Sequence, residues 1–181
     1  AYVISNATIS DFNTQESGGV ANLYGSGSLS MHNFTITDCH ATRALTANSN
    51  GARQATNQRI RNGGSFFADN ECTLNLYDGV IRNTRAGKVG GAASLRKSVA
   101  LLIRVHVTSS RSDADGGVIM LERSAQVTIQ ACVFNRTRAV GIGGVVCAIN
   151  SLVSMQGVEC FGSIATSGGV ISSELAIIEV R

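Results

Sequence analysis

Two carboxylates stand one residue apart in Ser112-Asp113-Ala114-Asp115-Gly116. Paired carboxylates can work as acid and base on one substrate. This pair lies in a turn, where Asp is an ordinary turn former. The equivalent turns one repeat away read Lys88-Val89 and Gly141-Ile142, with no carboxylate. The pair is therefore read as a corner, and no catalytic residue is assigned. His32, His40 and His106 are scattered, and there is no Cys-x-x-Cys or His-x-x-x-His. No metal and no cofactor are expected. A Gly-x-Ser-x-Gly nucleophile turn and a phosphate loop are also missing.

Arginine offers a second kind of chemistry. Thirteen of the 15 basic residues are Arg, and the net charge is +3. Residues 40–62 hold Arg43, Arg53, Arg59 and Arg61 and no acid, so this segment carries +4 against −1 for the rest. A second basic edge is expected through Arg85, Arg111, Arg136 and Arg138. Planar guanidinium forks match carboxylate and sulfate groups. These residues are candidate contacts for an acidic polysaccharide or an acidic neighbouring protein. The modest net charge gives no ground for a nucleic-acid partner.

The elements that carry these residues follow from a repeat. Gly-Gly pairs stand at 18–19, 63–64, 90–91, 116–117, 143–144 and 168–169, separated by 45, 27, 26, 27 and 25 residues. After each pair come short alternating runs such as Leu29-x-Met31, Leu74-x-Leu76, Leu101-x-Ile103, Val127-x-Ile129 and Val153-x-Met155. A second short run follows, as in Phe34-x-Ile36 and Val105-x-Val107. Period-two alternation between Gly and polar turns means strands. A 25–27-residue unit with three short strands and three corners makes one rung of a parallel β-helix, and rungs stack about 4.8 Å apart. The expectation is an all-β solenoid of six to seven rungs over residues 1–181, with residues 40–62 as a basic loop insertion. Gly suits a corner with positive φ, and the lack of Pro suits laddered strands. Both ends fall in strand-like runs, Ala1–Ile9 and Leu175–Val180, so the chain is expected to be part of a longer protein. No apolar run reaches the ~18 residues of a membrane span, so no membrane insertion by this segment is expected.

The repeat sets expectations for single residues. Asp69, Arg96 and Glu122 should stack with alternating sign, as should Asp78 and Arg104. Cys132 and Cys160 on neighbouring rungs are candidates for a disulfide, and Cys39 and Cys72 could staple the insertion. The alternative is that these thiols are small buried hydrophobes. Glycosylation sequons begin at Asn6, Asn33 and Asn135. Asn6 and Asn33 occupy equivalent positions, so a side-chain amide ladder or a single glycan is expected there. Asn135, at the start of a polar turn, is the best single glycan candidate.

The runs Gly116-Gly117-Val118-Ile119, Gly168-Gly169-Val170-Ile171 and Phe134-Asn135-Arg136-Thr137 resemble repeats of polymorphic outer-membrane-protein and pectate-lyase-like right-handed β-helices. The resemblance implies a right-handed helix and an extracellular or cell-surface stalk, wall or adhesive element. It also implies that enzymes of this fold would cleave acidic polysaccharides, with clustered carboxylates or bound Ca²⁺. The expected function is a non-enzymatic scaffold whose partners are further rungs or other subunits. An adhesin or acidic-glycan binder using the Arg loop comes second, and a polysaccharide lyase or hydrolase third.

Overall fold

A computed structural model of the chain describes residues 1–14, 17–41 and 62–181. Parallel strands of the same position in successive repeats pair with one another and build four sheets. The first sheet holds seven strands, from Tyr2–Ser5 through Ser28–His32, Thr73–Tyr77, Val99–Ile103, Gln126–Gln130 and Leu152–Gln156 to Ile177–Val180. The second runs from Thr8–Ser10 to Glu159–Phe161 in strands of three residues. The third consists of two-residue strands, Asn13–Thr14, His40–Ala41, Arg85–Ala86, Arg111–Ser112 and Arg138–Ala139. The fourth runs from Ala21–Tyr24 to Ile171–Glu174 in four-residue strands. The described residues thus form a parallel β-solenoid of about six turns, as the repeat requires. Each turn has four strands rather than three. The third sheet is the addition, because a two-residue strand is too short to show any alternation.

Inward columns hold like on like. Met31, Leu76, Leu102, Ile129 and Met155 stack in the first sheet, and Ile36, Ile81, Val107 and Phe134 in the second, all buried. In the strand Val99–Ile103 the inward pair is Ala100 and Leu102, not Leu101 and Ile103, which face outward. The reason is a one-residue difference at the corner between the fourth and first sheets. That corner has three residues in some rungs, two of them left-handed (Asn70 and Glu71, Arg123 and Ser124). Elsewhere it has two residues with only one left-handed, as at Lys97 and Asn150. The same difference accounts for repeats of 27 and 26. The repeat of 25 loses one more residue after Phe161, where single bridges Arg138↔Ile164 and Ile142↔Ser167 replace a strand.

The Gly pairs form the corner before the fourth sheet. Gly90 has φ +68°, a left-handed conformation that favours Gly. A Cβ on its neighbour Gly91 would lie 2.2 Å from the carbonyl oxygen of Gly117, one rung away. The corner segments fold over the outer face of the fourth sheet. Phe67, Ser94, Met120 and Cys147 point outward there and are still buried, and Val89 and Ile142 help to cover Met120 and Cys147. His40 and Ala41 belong to the third sheet, and buried Asn62 donates its backbone N–H to Ser17 Oγ (3.0 Å). The excess residues of the long repeat therefore fall between them, outside the described residues.

One column is not like on like. Phe34 fills the interior beside Gly79, and a Cβ at Gly79 would come within 2.1 Å of the Phe34 ring. Gly79→Ala should lower the unfolding free energy in urea by about 1–3 kcal/mol, the usual range for overpacking. In a Phe34→Ala background the same change should cost far less, and equal costs in both backgrounds would disprove the pairing.

Candidate functional site

The outer face of the third sheet collects cations. Register pairs His40 with Arg85, Arg85 with Arg111, and Arg111 with Arg138. The alternation that buries Ala41, Ala86, Ser112 and Ala139 turns these four residues outward. Asp113 follows the strand Arg111–Ser112 and turns back onto the column. Its carboxylate accepts from Arg85 Nη2 at 2.9 and 3.0 Å and from Nε at 3.3 Å. It also lies 3.5 Å from Arg111 Nε, too poorly aligned for a hydrogen bond. Arg138 has no ion pair among the described residues; Val140 occupies the position that Asp113 holds one rung earlier. The backbone ladder shows this equivalence: Asp113 N–H donates to Ala86 O and Val140 N–H to Ser112 O. Arg136 does not join the column. It sits at a left-handed corner (φ 52°), two residues before Arg138. Arg43, Arg53, Arg59 and Arg61 lie outside the described residues.

Asp115 is a structural corner residue. Its Oδ1 accepts the Ile142 N–H at 2.9 Å, and a Cβ on Gly141 would lie 2.1 Å from that oxygen. Neither Asp113 nor Asp115 faces a second carboxylate in a metal-binding group, and no His, Cys, Asp and Glu cluster with ligand geometry occurs among the described residues.

The charge columns stack as expected. Arg96 pairs in register with Asp69 and Glu122, with Arg96 Nε 3.1 Å from Glu122 Oε2. Arg104 grips Asp78 through Nε at 2.5 Å and Nη2 at 2.9 Å. Beside this pair the rings of His32 and Tyr77 stack with centroids 4.5 Å apart.

The cysteines do not pair, and all five are free thiols. Cys160 is in register with Phe134, not Cys132, because the local repeat is 26 residues and not 28. Cys39 precedes the third sheet and Cys72 precedes the first, at different corners of the rung. Burial pushes the Cys147 thiol up to about 12, with lesser repulsion from Asp115, Glu122 and Glu174. Burial likewise raises Cys132, Cys39 and Cys160. The thiolate is the reactive form, so these raised values slow thiol reactions near neutral pH.

No hydrogen bond joins the side chains of Asn6 and Asn33, so the expected amide ladder is not formed. The two residues stack at a left-handed corner (φ 54° and 49°) with Asp78, Arg104, Ala131 and Gly157. Asn and Asp tolerate that conformation better than most residues, which explains why Asn recurs there. Asn6 and Asn33 are exposed. Asn135 ends its strand half-buried, with its sequon Thr137 buried and donating to Gly144 O at 2.7 Å. The structure thus favours Asn33 and Asn6 over Asn135 for accessibility.

No family model, curated protein or solved structure matches the chain. No helix is long and apolar enough to cross a membrane among the described residues.

Two measurements check this geometry. The Arg104 hydrogen bonds hold the Asp78 carboxyl below its usual value. The ionised form is favoured by folding, so the pair's contribution is present above the ordinary carboxylate range and is lost as pH falls through the lowered value. Asp78→Asn should lower Tm near pH 7, and the two melting curves should converge at acid pH; a constant gap would contradict the pairing. Thiol titration in denaturant without reductant should count five free thiols. The native protein should react slowly at pH 8, and fewer than five thiols after unfolding would restore a disulfide.

Proposed function

We propose that the protein is a non-enzymatic structural module, a rigid stack of rungs that spaces or assembles parts of an extracellular or cell-surface structure. The observation that carries this reading is the stack itself: strands of equivalent position pair in parallel from turn to turn around one continuous apolar core. A stack of this kind is stiff along its axis, and the ladders that hold its rungs together can also pair with a neighbour in register. The resemblance of the Gly-Gly-Val-Ile units to polymorphic outer-membrane-protein and pectate-lyase-like repeats supports the same reading and its surface location.

An enzymatic role has less support, because Asp113 is engaged by Arg85 and Asp115 by the Ile142 N–H. Incubation with acidic polysaccharides, with and without Ca²⁺, should release no product. Activity that vanishes in Asp113→Asn or Asp115→Asn would establish an enzyme instead. The scaffold itself is tested by electron microscopy of the protein in its native assembly. Density should continue from both ends as stacked rungs or neighbouring subunits. Ends that stand free in solvent would overturn the proposal.

A further inference from the structure

We propose that the outward column of the third sheet, Arg85, Arg111 and Arg138, binds the anionic groups of an acidic polysaccharide lying along the solenoid axis. This goes beyond the scaffold reading and uses a different surface. Like charges directly opposite on neighbouring strands are destabilising, and here three guanidinium groups follow one another on consecutive rungs. Elsewhere opposite signs stack, as at Arg96 and Glu122 or Asp78 and Arg104. This column breaks that rule, and a local conflict in an otherwise consistent fold is expected at a functional or strained site. The compensation available is one carboxylate for three cations. Asp113 takes its hydrogen bonds from Arg85, makes none with Arg111, whose Nε is buried while the rest of its side chain is not, and does not serve Arg138. Donors remain for an outside acceptor, and the side chains of Arg85 and Arg111 are 45% and 43% exposed.

Spacing selects the ligand class. The cations repeat with the rungs, about 4.8 Å apart, close to the length of one sugar ring, so successive rings of a linear acidic glycan keep pace with the rungs and those that turn an anionic group inward meet a guanidinium. An extended peptide advances ~3.3 Å per residue with alternate side chains on opposite faces, so its same-face carboxylates would fall out of step. Single-stranded nucleic acid is held by stacking on aromatic side chains as well as by charge, and no Phe, Tyr or Trp stands in this column. Arg forks bind carboxylate or sulfate alike, and the experiment separates the two.

The test uses the whole chain, with heparin as the sulfated probe, polygalacturonate as the carboxylated one and an oligodeoxythymidine as the nucleic-acid control. At least one polysaccharide should bind, and the stronger of the two identifies the anionic group. Arg138→Gln should weaken that binding about tenfold, as expected for loss of a charge-assisted contact. Asp113→Asn should strengthen it, because a competing carboxylate is removed. Arg104→Gln, at a different corner, should leave it unchanged. A purely structural role for Asp113 would not produce tighter binding. The proposal is overturned if neither polysaccharide binds, or if Arg138→Gln and Arg104→Gln behave alike. It also fails if only joint replacement of Arg43, Arg53, Arg59 and Arg61 by Gln abolishes binding, or if the oligonucleotide binds as tightly with the same Arg138 dependence.

Discussion

Every position in this molecule must tolerate its own counterpart one rung away. Parallel strands in register leave about 4.8 Å between equivalent residues, so each column asks whether a residue type can stack on its like. The second glycine of each pair shows how strict this is. From Gly19 to Gly144, an added Cβ would lie 2.0 to 2.4 Å from the carbonyl oxygen of the corresponding glycine in the next rung. A side chain there would collide with backbone, which cannot swing aside. The corner that returns the chain to the fourth sheet therefore exists only because two successive positions stay free of side chains in every turn.

Other columns meet the same demand with different chemistry. Aliphatic side chains stack on themselves without conflict and make the continuous core. Hydroxyls can both donate and accept, so they form ladders. Thr84 donates to Ser110 at 3.1 Å and Ser163 to Thr137 at 3.0 Å, while Ser110 and Thr137 donate to the carbonyls of Gly117 and Gly144. Here the interior hydroxyls bond to the carbonyls of second glycines and so tie two corners together. Charges stack best with alternating sign, as Arg96 does between Asp69 and Glu122. A bulky ring needs its neighbour reduced to nothing, as Phe34 does with Gly79.

Features that recur by type were legible in the sequence, and features that depend on absolute register were not. The Gly pairs, the inward aliphatic positions and the opposite-charge stacks could be read because each repeats a residue class at a nearly constant interval. The third sheet escaped because two residues carry no periodicity. Leu101 and Ile103 look like the inward pair of their rung, yet the missing residue beside Lys97 shifts them outward and leaves Ala100 inside. A one-residue slip always exchanges the faces of a strand. The same arithmetic separates Cys132 from Cys160, which a fixed 27-residue repeat would have placed almost level. Asn6 and Asn33 were correctly matched in height, but the backbone conformation that selects Asn at that corner has no periodic signature of its own. In the candidate site Arg85, Arg111 and Arg138 were legible as one edge, whereas the exclusion of Arg136 from it and the turn of Asp113 back onto Arg85 were not.

These distinctions bear on where function can reside. Inward columns and the Gly corners have no freedom, since each residue is constrained by two rungs at once. Outward columns are constrained only by charge and by the pleat, so they alone can depart from like-on-like stability without unfolding the stack. The third sheet is the extreme case. Its strands contribute two residues each, one inward and small, such as Ala86 or Ala139, and one outward and long, such as Arg85 or Arg138. So short a strand adds little to the core, and the solenoid can hold a row of guanidinium groups there at the expense of mutual repulsion. The proposed end contacts draw instead on the columns that are most constrained, because a rung added in register extends every one of them. The proposed assembly by rung stacking and the proposed recognition along the flank therefore use different residues, and a change in one need not disturb the other.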